Sequence, residues 1–178
     1  MRVLLCIFFN LCRFSSNNVE YMQASRIILD DTDKRLLAAL QSDARLTAQD
    51  LSDRLNLSAS QIGRRRQRLE DQGLIEGYRA RLSPEQLGLG VQAFVQVQMA
   101  THAPDKVRTF TRIVGTRPEI TSAWTLTGDA DYLLRVYCED LSALNSLIHE
   151  TLLPHPAVAR VQSQIVMDQL KTDGPLPL

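Results

Sequence analysis

Two short segments, Thr47-Ala-Gln-Asp50 and Ser58-Ala-Ser-Gln61, constrain this chain more than any other feature. In each, a hydroxyl at the first position can accept the amide three residues on, and the side chain there can reach back. That reciprocal cap fixes a helix start. Starts this close together leave room for only about two helical turns between them, with Ala48, Leu51 and Leu55 as the inner stripe and Asn56-Leu57 as a tight turn. Upstream, Asp31 is the expected N-cap of a first helix. Asp33 lies in its first turn, where the helix dipole favours an anion, and Leu36, Leu37 and Leu40 share a face. Asp43 and Arg45 mark the break. Downstream, a third helix runs to about Gln72, and Gly73 closes it. A short helix, a tight turn and a longer helix form a helix-turn-helix pattern.

The third helix carries the chemistry. Its periodicity turns Ile62 and Leu69 inward and Ser60, Gln61, Arg64, Arg65 and Arg68 roughly the other way. Guanidinium forks suit guanine edges or phosphates, and an amide suits adenine. With Ser58 opening the helix, the candidate DNA contacts are Ser58, Ser60, Gln61, Arg64, Arg65 and Arg68. Arg66 falls at the edge of the apolar stripe. It either buries its stem and exposes its head or adds a phosphate contact. After Gly73, Leu74–Leu82 reads as a short β-ribbon, a wing, whose Arg79 and Arg81 either touch the flanking DNA backbone or serve solubility.

Charge must be read by its distribution. Across 178 residues, Lys+Arg is 20 and Asp+Glu is 20, so the chain is formally neutral. That excludes a uniformly basic coat for nucleic acid. Residues 30–82 carry ten basic and nine acidic groups; residues 83–178 carry seven and ten. The balance hides a local basic site before an acidic half. Three cysteines form no disulfide framework and suit a reducing compartment. No apolar run approaches the ~18 residues of a membrane span.

Residues 1–29 do not match the rest of the chain. MRVLLCIFFNLCRF is apolar without periodicity, and a polar stretch separates it from the pattern that begins near Leu29. A secretory signal, a genuine extension and a translation start placed too early all fit. The DNA-binding character downstream favours the last, with Met22 as the first native residue and a cytoplasmic location.

Ser83-Pro84 and Leu87-Gly-Leu-Gly90 punctuate the chain as a linker over 83–89. In Val91–Met99 every odd position is apolar, a period-two strand. Pro104 then opens a helix with a stripe of Val107, Phe110, Ile113 and Val114. Ile120–Thr127 and Tyr132–Cys138 read as strands around a Gly128-Asp-Ala-Asp131 turn. Leu141, Leu144, Leu147, Ile148 and Leu152 mark a second helix, and Val158–Leu170 a last strand. The order over 90–171 is βαββαβ, a ferredoxin-like domain, followed by a tail over 172–178. The fold class is therefore α+β, a winged helix-turn-helix followed by a ferredoxin-like regulatory domain. Helices on one face of a small sheet leave the other face open. Its apolar residues, Phe94 among them, call for a partner, most economically a second copy. Two half-sites need two recognition helices about one DNA turn apart.

These elements resemble the Lrp/AsnC, or feast/famine, transcription regulators. The likeness rests on Leu29-Asp-x-x-Asp33, Leu57-Ser58, Arg64-Arg65, Arg68-Leu69-Glu70, Gly73-Leu-Ile75 and Gly77-Tyr78, and on Gly128-Asp129-x-Asp131-Tyr132 in the second domain. It covers about 30–171. Arg66 departs from it, since that family usually has Val or Ile there. The resemblance implies a homodimer assembling further, double-stranded DNA as partner and a small effector, commonly an amino acid. It implies an effector pocket bordered by Leu126, Thr127, Gly128, Asp129, Asp131, Tyr132 and Gln164. Asp129 or Asp131 would receive an ammonium group, unless the turn's acids merely cap strand ends.

Enzyme readings have little support. His102, His149 and His155 lack metal-ligand spacing, Cys138 has no paired cysteine, and no phosphate-binding or dinucleotide fingerprint occurs. No metal or cofactor is expected. Trp124 reads as sheet packing. The alternatives are a haem-pathway decarboxylase of the same two-domain architecture and an oligomerising ligand sensor without DNA binding. The arginines of the third helix argue against the second.

Overall fold

The structure is a computed structural model that describes residues 27–178. The expectation about Met22 concerns residues outside those described. The chain forms two compact units. One runs to Arg79 and includes Gly174–Leu178; the other is Ala80–Asp173.

The first unit is three helices, α1 (Asp31–Ser42), α2 (Ala48–Leu55) and α3 (Ala59–Asp71). All three starts carry reciprocal capping boxes. The boxes at Thr47 and Ser58 fall where the sequence places them. The first cap is Asp30, not Asp31: Asp30 Oδ1 accepts the Asp33 amide at 2.7 Å and Asp33 Oδ2 accepts the Asp30 amide at 3.2 Å. Only Asp30 has an acid three residues on, and that reciprocity selects it. The α2–α3 turn is closed by Asn56 in the left-handed conformation (φ 55°) and by Ser52 Oγ donating to the Leu57 carbonyl. Gly73 (φ 70°) ends α3, with its own amide donating to Glu70 and the Leu74 amide to Leu69, a Schellman closure. Leu36, Leu37, Leu40, Leu46, Leu51, Leu55, Ile62 and Leu69 form the core, with Leu29 packed at its edge. The tail joins this unit through Gln41, whose amide brackets the Leu176 backbone at 2.6 and 3.3 Å.

The expected ribbon over Leu74–Leu82 does not form; those residues carry no strand pairing. A two-stranded ribbon alone is marginal, and Tyr78 is instead held against α3 by the Glu70 carboxylate.

In the second unit, β1 (Val91–Met99), α4 (Pro104–Thr116), β2 (Ile120–Thr125), β3 (Tyr132–Cys138), α5 (Leu141–Ser146) and β4 (Val158–Ile165) follow in order. The antiparallel sheet runs β2-β3-β1-β4, the ferredoxin-like topology. Ala93, Val95, Val97 and Met99 face the helices and meet Val107, Phe110, Leu144, Leu147 and Leu152. The helix begun by α5 widens into a π-helical turn over Leu147–Leu152. β2 ends at Thr125 rather than Thr127: the Leu126 amide donates to the Asp131 carbonyl, one step on in the same register, and the chain beyond it turns at Gly128. β4 stops at Ile165 rather than Leu170. The Val166 amide takes the Gln92 carbonyl, and β1 offers nothing beyond Val91. The opposite sheet face carries Phe94, Trp124, Leu133 and Tyr137.

Candidate functional site

On α3, Ile62 and Leu69 are fully buried and Ser60, Gln61, Arg64 and Arg68 are exposed. The arginines then separate by partner. Arg65 Nη1 lies 2.6 Å from Asp30 Oδ2 and 2.8 Å from Asp33 Oδ1, and Arg68 Nη2 lies 2.6 Å from Asp33 Oδ2. The Asp33 side chain is 1% exposed. The Asp33 amide, and then the Arg65 guanidinium, hold the Asp30 carboxyl below its ordinary value. Both Asp30 and Asp33 raise the Arg65 guanidinium.

Arg66 settles between its two sequence readings. Its stem is half-buried, its Nε donates to Glu70 Oε1 at 3.1 Å, and its guanidinium stacks 4.6 Å over the Tyr78 ring. Tyr78 Oη donates to the same Glu70 oxygen at 2.9 Å. This closed triangle pins the segment after α3 to the helix.

Arg64 makes no ion pair among the described residues. Ser58 and Gln61 are committed to the cap. Gln61 Oε1 accepts from the Ser58 amide at 2.9 Å and from Ser58 Oγ at 3.0 Å. A bidentate adenine contact needs that oxygen, so the cap leaves Gln61 only its NH2 donors. Ser60 Oγ lies 3.1 Å from Ser58 Oγ.

In the second unit, Gly128 (φ 124°) makes the turn between β2 and β3, a conformation strained for any residue with a side chain. The two acids beside it differ. Asp131 is spent on the fold: its Oδ2 accepts the Met99 amide at 2.7 Å and its Oδ1 lies 2.8 Å from His102 Nε2. Asp129 is exposed and lines a cleft of about 50 Å³ with Gln96, Gln98, Ala130, Arg160 and Gln162. Tyr132 does not reach that cleft. Its ring is buried against Phe110, centroids 5.0 Å apart. Leu126 is half-buried behind the turn, and Thr127 and Gly128 are exposed on it. Gln164 sits in the row of Phe94, whereas Gln162 occupies the row of Gln96. The sequence reading missed Gln96, Gln98, Arg160 and Gln162. The polar even positions of β1 were the available signal, since they mark what the open face presents.

Residues 29–76 match a family model described as a winged helix-turn-helix DNA-binding domain, and residues 92–176 match one described as the Lrp/AsnC ligand binding domain. The leucine-responsive regulatory protein of Escherichia coli K12 is 37% identical over 148 residues, 83% of this chain and 90% of that protein. The chain belongs to the Lrp/AsnC family. This Lrp/AsnC chain is also 34% identical to the DNA-binding transcriptional activator DecR of E. coli K12 over 151 residues, 85% of this chain and 99% of DecR. It superposes on the regulator NMB0573 of Neisseria meningitidis, solved as an L-Met complex. The TM-score is 0.81 and the identity 41%, covering 84% of this chain and 97% of that one. This Lrp/AsnC member is therefore a transcription regulator that joins a helix-turn-helix DNA-binding domain to a ligand-binding domain.

Proposed function

We propose that the protein is a cytoplasmic, amino-acid-responsive regulator that binds paired DNA half-sites as a dimer or a larger assembly. Arg64 reads a base edge, with Ser60 and the Gln61 NH2 beside it, and Ser58 supports them through the cap. Phosphate contacts set the register but carry no sequence information. The open sheet face, with Phe94, Leu133, Tyr137 and the 45%-exposed Trp124, is the surface that a second copy covers.

The observation that carries the effector reading is the cleft holding Asp129 and Arg160 together. A free amino acid presents an ammonium and a carboxylate, and Asp129 and Arg160 are opposite to them in charge. The L-Met complex of the 41%-identical neighbour supports the same ligand class. At about 50 Å³ the cleft is far below the ~300 Å³ at which ligand pockets begin, so a second copy supplies the missing wall. Effector binding changes assembly or half-site geometry through its different affinity for the two states.

Calorimetric titration of L-methionine and L-leucine into the full chain tests this reading. Asp129→Asn should weaken binding by roughly tenfold or more, the value of a lost charge-assisted hydrogen bond. Equal affinity for wild type and variant would remove Asp129 from the site.

A further inference from the structure

We propose that Asp33 is a positioning residue for DNA recognition, and that Arg65 and Arg68 act through it rather than on bases. The proposal rests on the reading of Arg64 as the base contact. Two guanidiniums nearly one turn apart on α3 converge on a single carboxylate of α1 that is 1% exposed, at 2.8 and 2.6 Å. The same carboxylate also accepts the Asp30 amide at 3.2 Å, so the α1 cap and the α3 anchor are one network. Taking either arginine to DNA would strip a donor from a buried anion, which is costly. Two anchor points nearly one turn apart fix both the distance of α3 from α1 and its rotation about its own axis. That rotation aims Ser60, Gln61 and Arg64. It also sets the charge DNA meets: Arg65 and Arg68 are matched by Asp30 and Asp33, and Arg66 by Glu70. Of the four clustered arginines, Arg64 keeps its charge unmatched among the described residues.

The test uses the full chain carrying Asp33→Asn, Arg65→Gln, Arg68→Gln or Arg64→Gln. Duplex binding is measured across salt concentrations and over a randomised sequence library, at a temperature where circular dichroism shows the helices intact. Asp33→Asn, Arg65→Gln and Arg68→Gln should each weaken binding to every sequence by roughly tenfold, a typical cost of disturbing one buried pair. The salt slope and base preference should stay as in wild type. The double variant D33N/R68Q should bind no worse than the weaker single. Arg64→Gln should instead relax one base position. A fall in salt slope of about 0.9 for Arg65→Gln or Arg68→Gln, relaxed base preference in either, or unchanged affinity in Asp33→Asn would overturn the proposal. If wild type binds no duplex, the DNA reading of Arg64 fails. Amide exchange then judges Asp33 by itself: Asp33→Asn must speed exchange along α3, and unchanged exchange overturns the positioning role.

Discussion

Arg68 Nη2 lies 2.6 Å from Asp33 Oδ2 across 35 residues of sequence, and Arg65 reaches the other Asp33 oxygen at 2.8 Å. The recognition helix is thereby tied to the first turn of α1 by a nearly fully buried anion. Removing the carboxylate strands two partly exposed guanidiniums, whereas removing one arginine leaves Asp33 with its other partner and the Asp30 amide. Asp33→Ala should therefore cost the DNA-binding unit on the order of 2–3 kcal/mol, below the ~3–5 kcal/mol of a fully buried broken pair. Arg68→Ala should cost less. Chemical denaturation followed by far-UV circular dichroism orders the two, and the reverse order would contradict the geometry.

Arg66 is stacked on Tyr78 and ion-paired with Glu70. Arg66→Val should lose the Tyr78 stack and the Glu70 pair, about 0.5–1.5 kcal/mol together at this half-exposed site. Arg66→Lys keeps a charge for Glu70 but loses the planar stack and should fall between. A gain in stability for Arg66→Val in the same denaturation assay would show that the triangle with Tyr78 contributes nothing.

His155 gives the second unit a pH dependence. Its Nδ1 accepts the Ala157 amide at 3.2 Å, which leaves the ring proton on Nε2 facing Thr109 Oγ1 at 3.0 Å. Burial first, and Lys106 second, push the imidazole below its ordinary 6.5. A lowered histidine value means that the unfolded chain binds more protons in the window beneath 6.5. Stability is therefore full above that pH and is lost as the pH falls toward the folded value. Thermal unfolding read by Trp124, the single tryptophan, should show Tm falling with acidification through this window. In His155→Gln that dependence should flatten.

The two acids of the Gly128 turn should separate in their effects. Asp131→Asn weakens the acceptor for the Met99 amide and the His102 contact, costing about 1–2 kcal/mol of stability. Asp129→Asn, exposed at the cleft, should leave unfolding unchanged within about 0.5 kcal/mol. Paired denaturation curves decide it; equal destabilisation would mean that both acids are structural.

How far the sequence could be read depends on distance along the chain. The boxes at Thr47 and Ser58, the turn at Asn56 and the stop at Gly73 are i to i+3 or i+4 events, and all were legible. So was the alternation of β1, because one face must be buried. The first cap slipped by one residue because Asp30 and Asp31 both offer a carboxylate, and only the partner at Asp33 distinguishes them. The pairing of Asp33 with Arg65 and Arg68 spans 32 and 35 residues and leaves no local trace, so three outward arginines looked equivalent. Arg160 and Gln162 reach the Asp129 cleft only because β4 pairs with β1, a register that periodicity alone does not supply. In place of the ribbon expected after Gly73 stands the Arg66–Glu70–Tyr78 triangle, a contact between side chains that periodicity does not supply.

In the proposed reading, base recognition falls to Arg64, which makes no ion pair among the described residues and sits on a capped helix tied to α1. Selection of bound duplexes from a random library, run on wild type and Arg64→Ala, tests it most directly. Wild type should enrich two inverted half-sites about one helical turn apart. Arg64→Ala should keep that spacing and lose preference at one position in each half-site, a cost of about 1–3 kcal/mol there. Unchanged preference in Arg64→Ala, or an even loss across all sequences, would contradict the assignment of Arg64 as the residue that reads the base.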